Sequence, residues 1–239
     1  MKYILTLILM VTTLTANADS WTLKAPFGGG LRESAIGLSI GVYGYIGTGW
    51  SGSGDIGDFW RYDPSANSWT QMATFITANR EAASCFEAGG KGYISTGSPN
   101  SNDLWEYDPA GNIWLQKTDF GGTARYGATA FSIGGKGYLG TGNSTTFNDD
   151  LWEYDPTTDA WTQKANITGG QRMWSSAFAI NGYGYVSTGL NGNGKMNDLQ
   201  RYDPVNNTWS TRAAIPGTAR DIAVGFSVGN FGYIGTGRD

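Results

Sequence analysis

Gly135-Lys136-Gly137-Tyr138-Leu139-Gly140-Thr141-Gly142 contains one of five copies of the signature Gly-Tyr-(Ile/Leu/Val)-(Gly/Ser)-Thr-Gly, whose tyrosine stands at 45, 93, 138, 185 and 233. Tryptophan recurs in step at 21, 69, 114, 161 and 209, and arginine at 32, 80, 125, 172 and 220. All three series advance by 48, 45, 47 and 48 residues. Three independent markers on one period define a repeat protein.

Working outward from the signature, each period holds four strand signals. An alternating small/apolar segment such as Ala128-Thr129-Ala130-Phe131-Ser132-Ile133 comes first. A pair able to adopt positive φ follows (Gly89-Gly90, Gly134-Gly135, Asn181-Gly182 or Gly229-Asn230), as a tight hairpin requires. The signature itself is the second strand. A polar loop leads to a third, for example Asp103-Leu104-Trp105-Glu106-Tyr107, and Asp108-Pro109 turns the chain into a fourth, Trp114-Leu115-Gln116-Lys117. The reading is all-β, with four antiparallel strands per repeat. One such sheet cannot cover both its faces, so neighbours must stack around an axis as the blades of a β-propeller.

Gly-Gly-Lys-Gly-Tyr at 89–93 and 134–138, Asp-Leu-Trp-Glu-Tyr-Asp-Pro at 103–109 and 150–156, and the tryptophan series together resemble the kelch-repeat family of secreted bacterial type. The resemblance covers the chain after Ala18. It departs from the commonest kelch form in one respect, since Thr-Gly stands where a Gly-Gly pair ends the second strand. It implies a kelch β-propeller with repeats over 32–75, 80–120, 125–167, 172–215 and a partial 220–239. Trp21-Thr22-Leu23-Lys24 reads as an outermost fourth strand, able to close the ring on the last blade. That blade has no third strand for it to pair with, so the sequence favours a piece of a longer propeller over a ring with one defective blade.

Lys2, the apolar run Tyr3–Val11 and the small residues of Ala16-Asn17-Ala18 read as a secretory signal peptide over 1–18, cleaved before Asp19. The run is too short to span a bilayer, which needs about 20 residues. The chain is therefore expected to be extracellular, at the cell surface or periplasmic, and monomeric. Its formal charge of −4 argues against a nucleic-acid partner. The absence of histidine removes both a Ser–His–acid triad and the copper ligands of the radical oxidases found among kelch propellers. No cofactor or metal is expected. Cys85, the single cysteine, aligns with Gly37, Ala130, Ala177 and Gly225, a small buried position. Asp149-Asp150 is the one place to look for an ion.

The resemblance gathers the blade-to-blade loops and the loops between strands two and three around one mouth of the channel, and places the five arginines there. Arg32, Arg80, Arg125, Arg172 and Arg220 could ring that mouth and capture anionic groups bidentately. An arginine present in every repeat also fits a structural bond made once per blade. The following residues vary: Glu33, Glu81, Tyr126, Met173 and Asp221. If Glu33, Glu81 and Asp221 neutralise their neighbours, Arg125 and Arg172 carry the freer guanidinium groups, and an acidic or sulfated ligand prefers that sector. Trp50 and Trp174 fall outside the tryptophan period and offer stacking surfaces. The candidate site is thus Arg125, Arg172, Trp174, Trp50, Tyr126 and Met173 with Arg32, Arg80 and Arg220, and none of them is assigned a catalytic role. A binding or scaffolding module for a carbohydrate or protein ligand is expected rather than an enzyme. The alternative is a sugar-modifying enzyme of the kelch epimerase type, using carboxylates at the mouth.

Overall fold

The computed structural model describes residues 22–75 and 79–239, so the leader expected over 1–18 and Trp21 lie outside the described residues. The first blade contains β1 (Ile36–Ile40), β2 (Tyr43–Gly47), β3 (Phe59–Asp63) and β4 (Ser68–Gln71). The second contains β5 (Ser84–Ala88), β6 (Lys91–Ser95), β7 (Leu104–Asp108) and β8 (Ile113–Lys117). The third contains β9 (Thr129–Ile133), β10 (Lys136–Gly140), β11 (Leu151–Asp155) and β12 (Ala160–Lys164). The fourth contains β13 (Ser176–Ile180), β14 (Tyr183–Ser187), a small hairpin of β15 (Leu190–Asn191) and β16 (Gly194–Lys195), then β17 (Leu199–Asp203) and β18 (Thr208–Arg212). A fifth has two strands, β19 (Val224–Val228) and β20 (Phe231–Gly235). Each four-stranded sheet is an antiparallel meander in chain order, the architecture read from the repeat.

Why these segments form blades is visible in the register. In the third blade Tyr138 pairs with Phe131 across the first hairpin, and their rings stack at 5.2 Å. Phe86 on Tyr93, Phe178 on Tyr185 and Phe226 on Tyr233 repeat this. The phenylalanine then reaches the next blade and covers the glycine preceding its signature tyrosine. A Cβ at Gly137 would overlap the Phe86 ring, one at Gly184 the Phe131 ring, and one at Gly232 the Phe178 ring. That glycine is obligatory because another blade occupies its side-chain space. Third-strand tyrosines complete the seam: Tyr154 lies 5.4 Å from Tyr93, and Tyr202 lies 5.7 Å from Tyr138.

A second clamp joins blades at their outer edge. The linker residue after each fourth strand donates its N–H to the next blade's turn residue: Ala73 to Asn112, Thr118 to Asp159, Ala165 to Asn207. Its carbonyl accepts the indole N–H of that blade's periodic tryptophan, Trp114, Trp161 or Trp209. Ala25 bonds Asn67 and Trp69 in the same way. Thr22–Lys24 before it form no strand, and Leu23 is 95% exposed. The described residues of the candidate closing strand, 22–24, therefore pair with no blade. Among the described residues β1 touches the second blade and β19 the fourth, but β1 and β19 do not meet.

Candidate functional site

The resemblance puts the five arginines at the mouth; the structure places Arg32, Arg80, Arg125 and Arg172 inside the blades and leaves Arg220 part-buried. Arg125 and Arg172 are 1% and 0% exposed. Arg172 grips Asp198 bidentately at 2.7 and 2.8 Å and donates to the Thr188 and Gly170 carbonyls. Arg125 holds Asp150 and the Thr141 carbonyl, Arg80 holds Asp103 and the Thr96 carbonyl, and Arg32 holds Asp58 and the Thr48 carbonyl. The expectation that Arg125 and Arg172 are the freer pair does not hold, because all four arginines grip an aspartate alike. Their neutralising acids come from the third strand's entry, not from the residue after the arginine. Burial disfavours ionisation of Asp58 and Asp103. Bonds from Arg32 and Trp60, and from Arg80, Ser101 and Trp105, outweigh it and hold both carboxyls below the usual range.

The same hub explains the Thr-Gly departure. Thr48, Thr96, Thr141 and Thr188 all have φ between 56° and 62°, which turns their carbonyls onto the arginines. The following glycine lies so close to the neighbouring backbone that a Cβ at Gly49 would meet the Glu33 carbonyl oxygen. Its N–H crosses to the next blade's arginine carbonyl, as from Gly142 to Arg172 at 2.8 Å. These aspartates were legible in principle. Asp58, Asp103, Asp150 and Asp198 advance by 45, 47 and 48 residues, a fourth series on the same period.

What faces the axis is the residue two beyond each arginine. Ser34, Ala82, Gly127, Trp174 and Ile222 all adopt φ between 50° and 61°. A run of hydrogen bonds joins them, from Ala82 N–H to Ser34, Gly127 to Ala82, Trp174 to Gly127 and Ile222 to Trp174, at 2.8–3.0 Å. They line a cavity of about 410 Å³ together with Glu81, Ser98 and Tyr126. Left-handed backbone is costly for a bulky or β-branched residue, so Trp174 and Ile222 are held there by the frame. Gly127 has no side chain because the Trp174 indole occupies that space. Tyr126 meets the indole edge-on at 6.4 Å, and the Arg238 guanidinium lies 5.6 Å from its centre.

The other candidates disperse. Trp50, 37% exposed, lines a separate cleft of about 240 Å³ with Leu31 and Glu33, bridging backbone to Glu33. Met173 is buried, its backbone paired with Leu190. Asp221 is fully buried and bonded to Arg238 at 2.6 Å, which holds its carboxyl below the usual range. Asp149 and Asp150 diverge: Asp150 serves Arg125 and the Trp152 indole, while Asp149 accepts from Asn166. They form no ion site. Cys85 donates to the Gly37 carbonyl, and burial pushes its thiol up to about 12, which leaves it a packing residue. Glu81, read from sequence as a neutralising partner for Arg80 or, with Glu33 and Asp221, as a carboxylate at the mouth, is half-buried and lines the cavity.

Repeated four-stranded blades around a shared axial cavity define this protein as an all-β propeller. The solved structure of YjhT has the same fold, superposing with a TM-score of 0.79 at 18% identity over 93% of this chain and 82% of that chain. No family model and no curated protein matches the sequence.

Proposed function

We propose that this is an exported, non-catalytic kelch-type propeller whose axial cavity binds a neutral carbohydrate. The observation that carries this reading is the cavity wall itself: Trp174, Tyr126 and Glu81 line it, the five periodic arginines do not, and the Arg238 guanidinium over the indole is tied to Asp221. An indole face packs against the apolar side of a sugar, and carboxylate and serine oxygens accept its hydroxyls. An anionic ligand finds no free guanidinium of the Arg125–Arg172 sector, since each would first have to surrender a bidentate partner.

The test is a titration of the purified protein against neutral and sulfated oligosaccharide arrays, followed by tryptophan fluorescence. Neutral glycans are expected to bind more tightly than their sulfated counterparts, and Trp174→Ala to weaken the best of them about tenfold, which is about 1.4 kcal/mol. Preference for the sulfated set, or binding indifferent to Trp174→Ala, would sink the proposal.

Export rests on the N-terminal sequence alone. Mass spectrometry of protein recovered from outside the cytoplasm is expected to find Asp19 at the N-terminus; a mature chain retaining Met1–Ala18 would refute it.

A further inference from the structure

The loops between second and third strands differ among the four complete blades. Each begins at the residue paired with the one after the blade's arginine: Trp50 with Glu33, Ser98 with Glu81, Asn143 with Tyr126 and Leu190 with Met173. In the first, third and fourth blades the chain then folds back on itself. Trp50 bridges Asp55, Asn143 bridges Phe147, and β15 pairs with β16. The chain returns at Ile56, Asn148 and Met196, whose N–H groups donate to the Gly49, Gly142 and Gly189 carbonyls at 2.8–2.9 Å. In the second blade the return residue is Ser101, which bridges Arg125 as Asn148 bridges Arg172. Only Pro99 and Asn100 separate it from Ser98, where the other three blades place five, four and five residues. The short loop is fastened to its neighbour, Asn100 Nδ2 donating to the Ser144 carbonyl at 3.2 Å.

The second blade therefore leaves a notch between taller walls, and the axial cavity reaches into it. Of Trp50, Ser98, Asn143 and Leu190, only Ser98 lines the cavity, beside Glu81. Neither the Glu81 carboxylate nor the Ser98 hydroxyl makes a side-chain hydrogen bond or ion pair among the described residues. We propose that the site holds a linear neutral oligosaccharide rather than a single sugar, with one unit on the Trp174 indole and the chain leaving over Pro99 and Asn100. This rests on the carbohydrate reading above and adds the ligand's extent and direction. At about 410 Å³ the cavity stands near the small end of ligand sites, which run from about 300 to 1,000 Å³, so further units must lie outside it. The notch is the passage across which Glu81 and Ser98 offer unspent oxygens to their hydroxyls. A wall as tall as those of the other three blades would block it.

The probes are cello-, malto- and chito-oligosaccharides of one to six units, titrated calorimetrically against the whole protein. In the best-bound series affinity is expected to rise at least tenfold from one unit to four. Inserting Gly-Asn-Gly between Pro99 and Asn100 gives this loop five intervening residues, a change that exposed loops tolerate at small entropic cost. The variant should lose the gain from length and keep its affinity for the single sugar. The same insertion between Gly192 and Asn193 should leave both unchanged. Should the first variant misfold, amide exchange on wild-type protein still decides: the four-unit ligand should slow exchange over 98–101 beyond what the single sugar does, and not over 191–195. Equal affinity for one and four units, a length gain that survives the insertion at 99–100, or protection at 191–195 instead would overturn the proposal and leave the carbohydrate reading standing. Binding of none of the sugars would overturn both.

Discussion

Asp198→Ala is expected to destabilise the protein by about 3–5 kcal/mol, the range for breaking a buried ion pair by removing one member. It strands the Arg172 guanidinium, which is 0% exposed and keeps only carbonyl partners at Thr188 and Gly170. Arg125→Ala with Arg172→Ala removes two such hubs from adjacent blades. Against a typical total stability of about 5–15 kcal/mol, that pair is expected to leave little folded protein. Arg220→Ala is the internal control, because that arginine has no carboxylate partner among the described residues and should cost less than about 1 kcal/mol. Urea unfolding measures all three. If Asp198→Ala unfolds within about 1 kcal/mol of wild type, the arginine–aspartate hubs do not hold the blades.

Tyr138→Ala is the second large effect, about 3–5 kcal/mol by the same measurement. Tyr138 is 2% exposed, stacks on Phe131, touches Tyr202 of the next blade and donates to Glu153 at 2.6 Å. Trp152, expected from the repeat to be buried between blades like Tyr138, is only half-buried. Its indole covers Gly121 and donates to Asp150, so its role is to orient the partner of Arg125. Trp152→Ala should therefore cost clearly less than Tyr138→Ala. Equal losses would mean that the seam between blades is not where the tyrosines are.

These contrasts show which parts of the molecule are legible in sequence. A period shared by tyrosine, tryptophan and arginine is a statement about strands, and strands alternate, so the blades and their hairpins follow directly. Direction is harder. Whether Arg125 turns toward the axis or into its own blade depends on a left-handed threonine at 141 and an aspartate at 150, which are brought beside it only by the meander. The cavity wall is hidden for a related reason. Its five positions share a backbone conformation rather than a residue type, so Ser34, Ala82, Gly127, Trp174 and Ile222 show no common letter. Trp50 and Trp174 look alike as unscheduled tryptophans, yet one borders a peripheral cleft and the other the axis.

That shared conformation has a consequence for how such a surface diversifies. The links from Ser34 through Ala82, Gly127 and Trp174 to Ile222 run entirely through peptide groups. No side chain there supplies a bond of the frame, so Ser34, Ala82 and Ile222 can be exchanged with the links in place, whereas a side chain at Gly127 must first displace the Trp174 indole. The rim of the cavity can therefore change blade by blade at those three positions, while the arginine hubs take no part in that run of bonds.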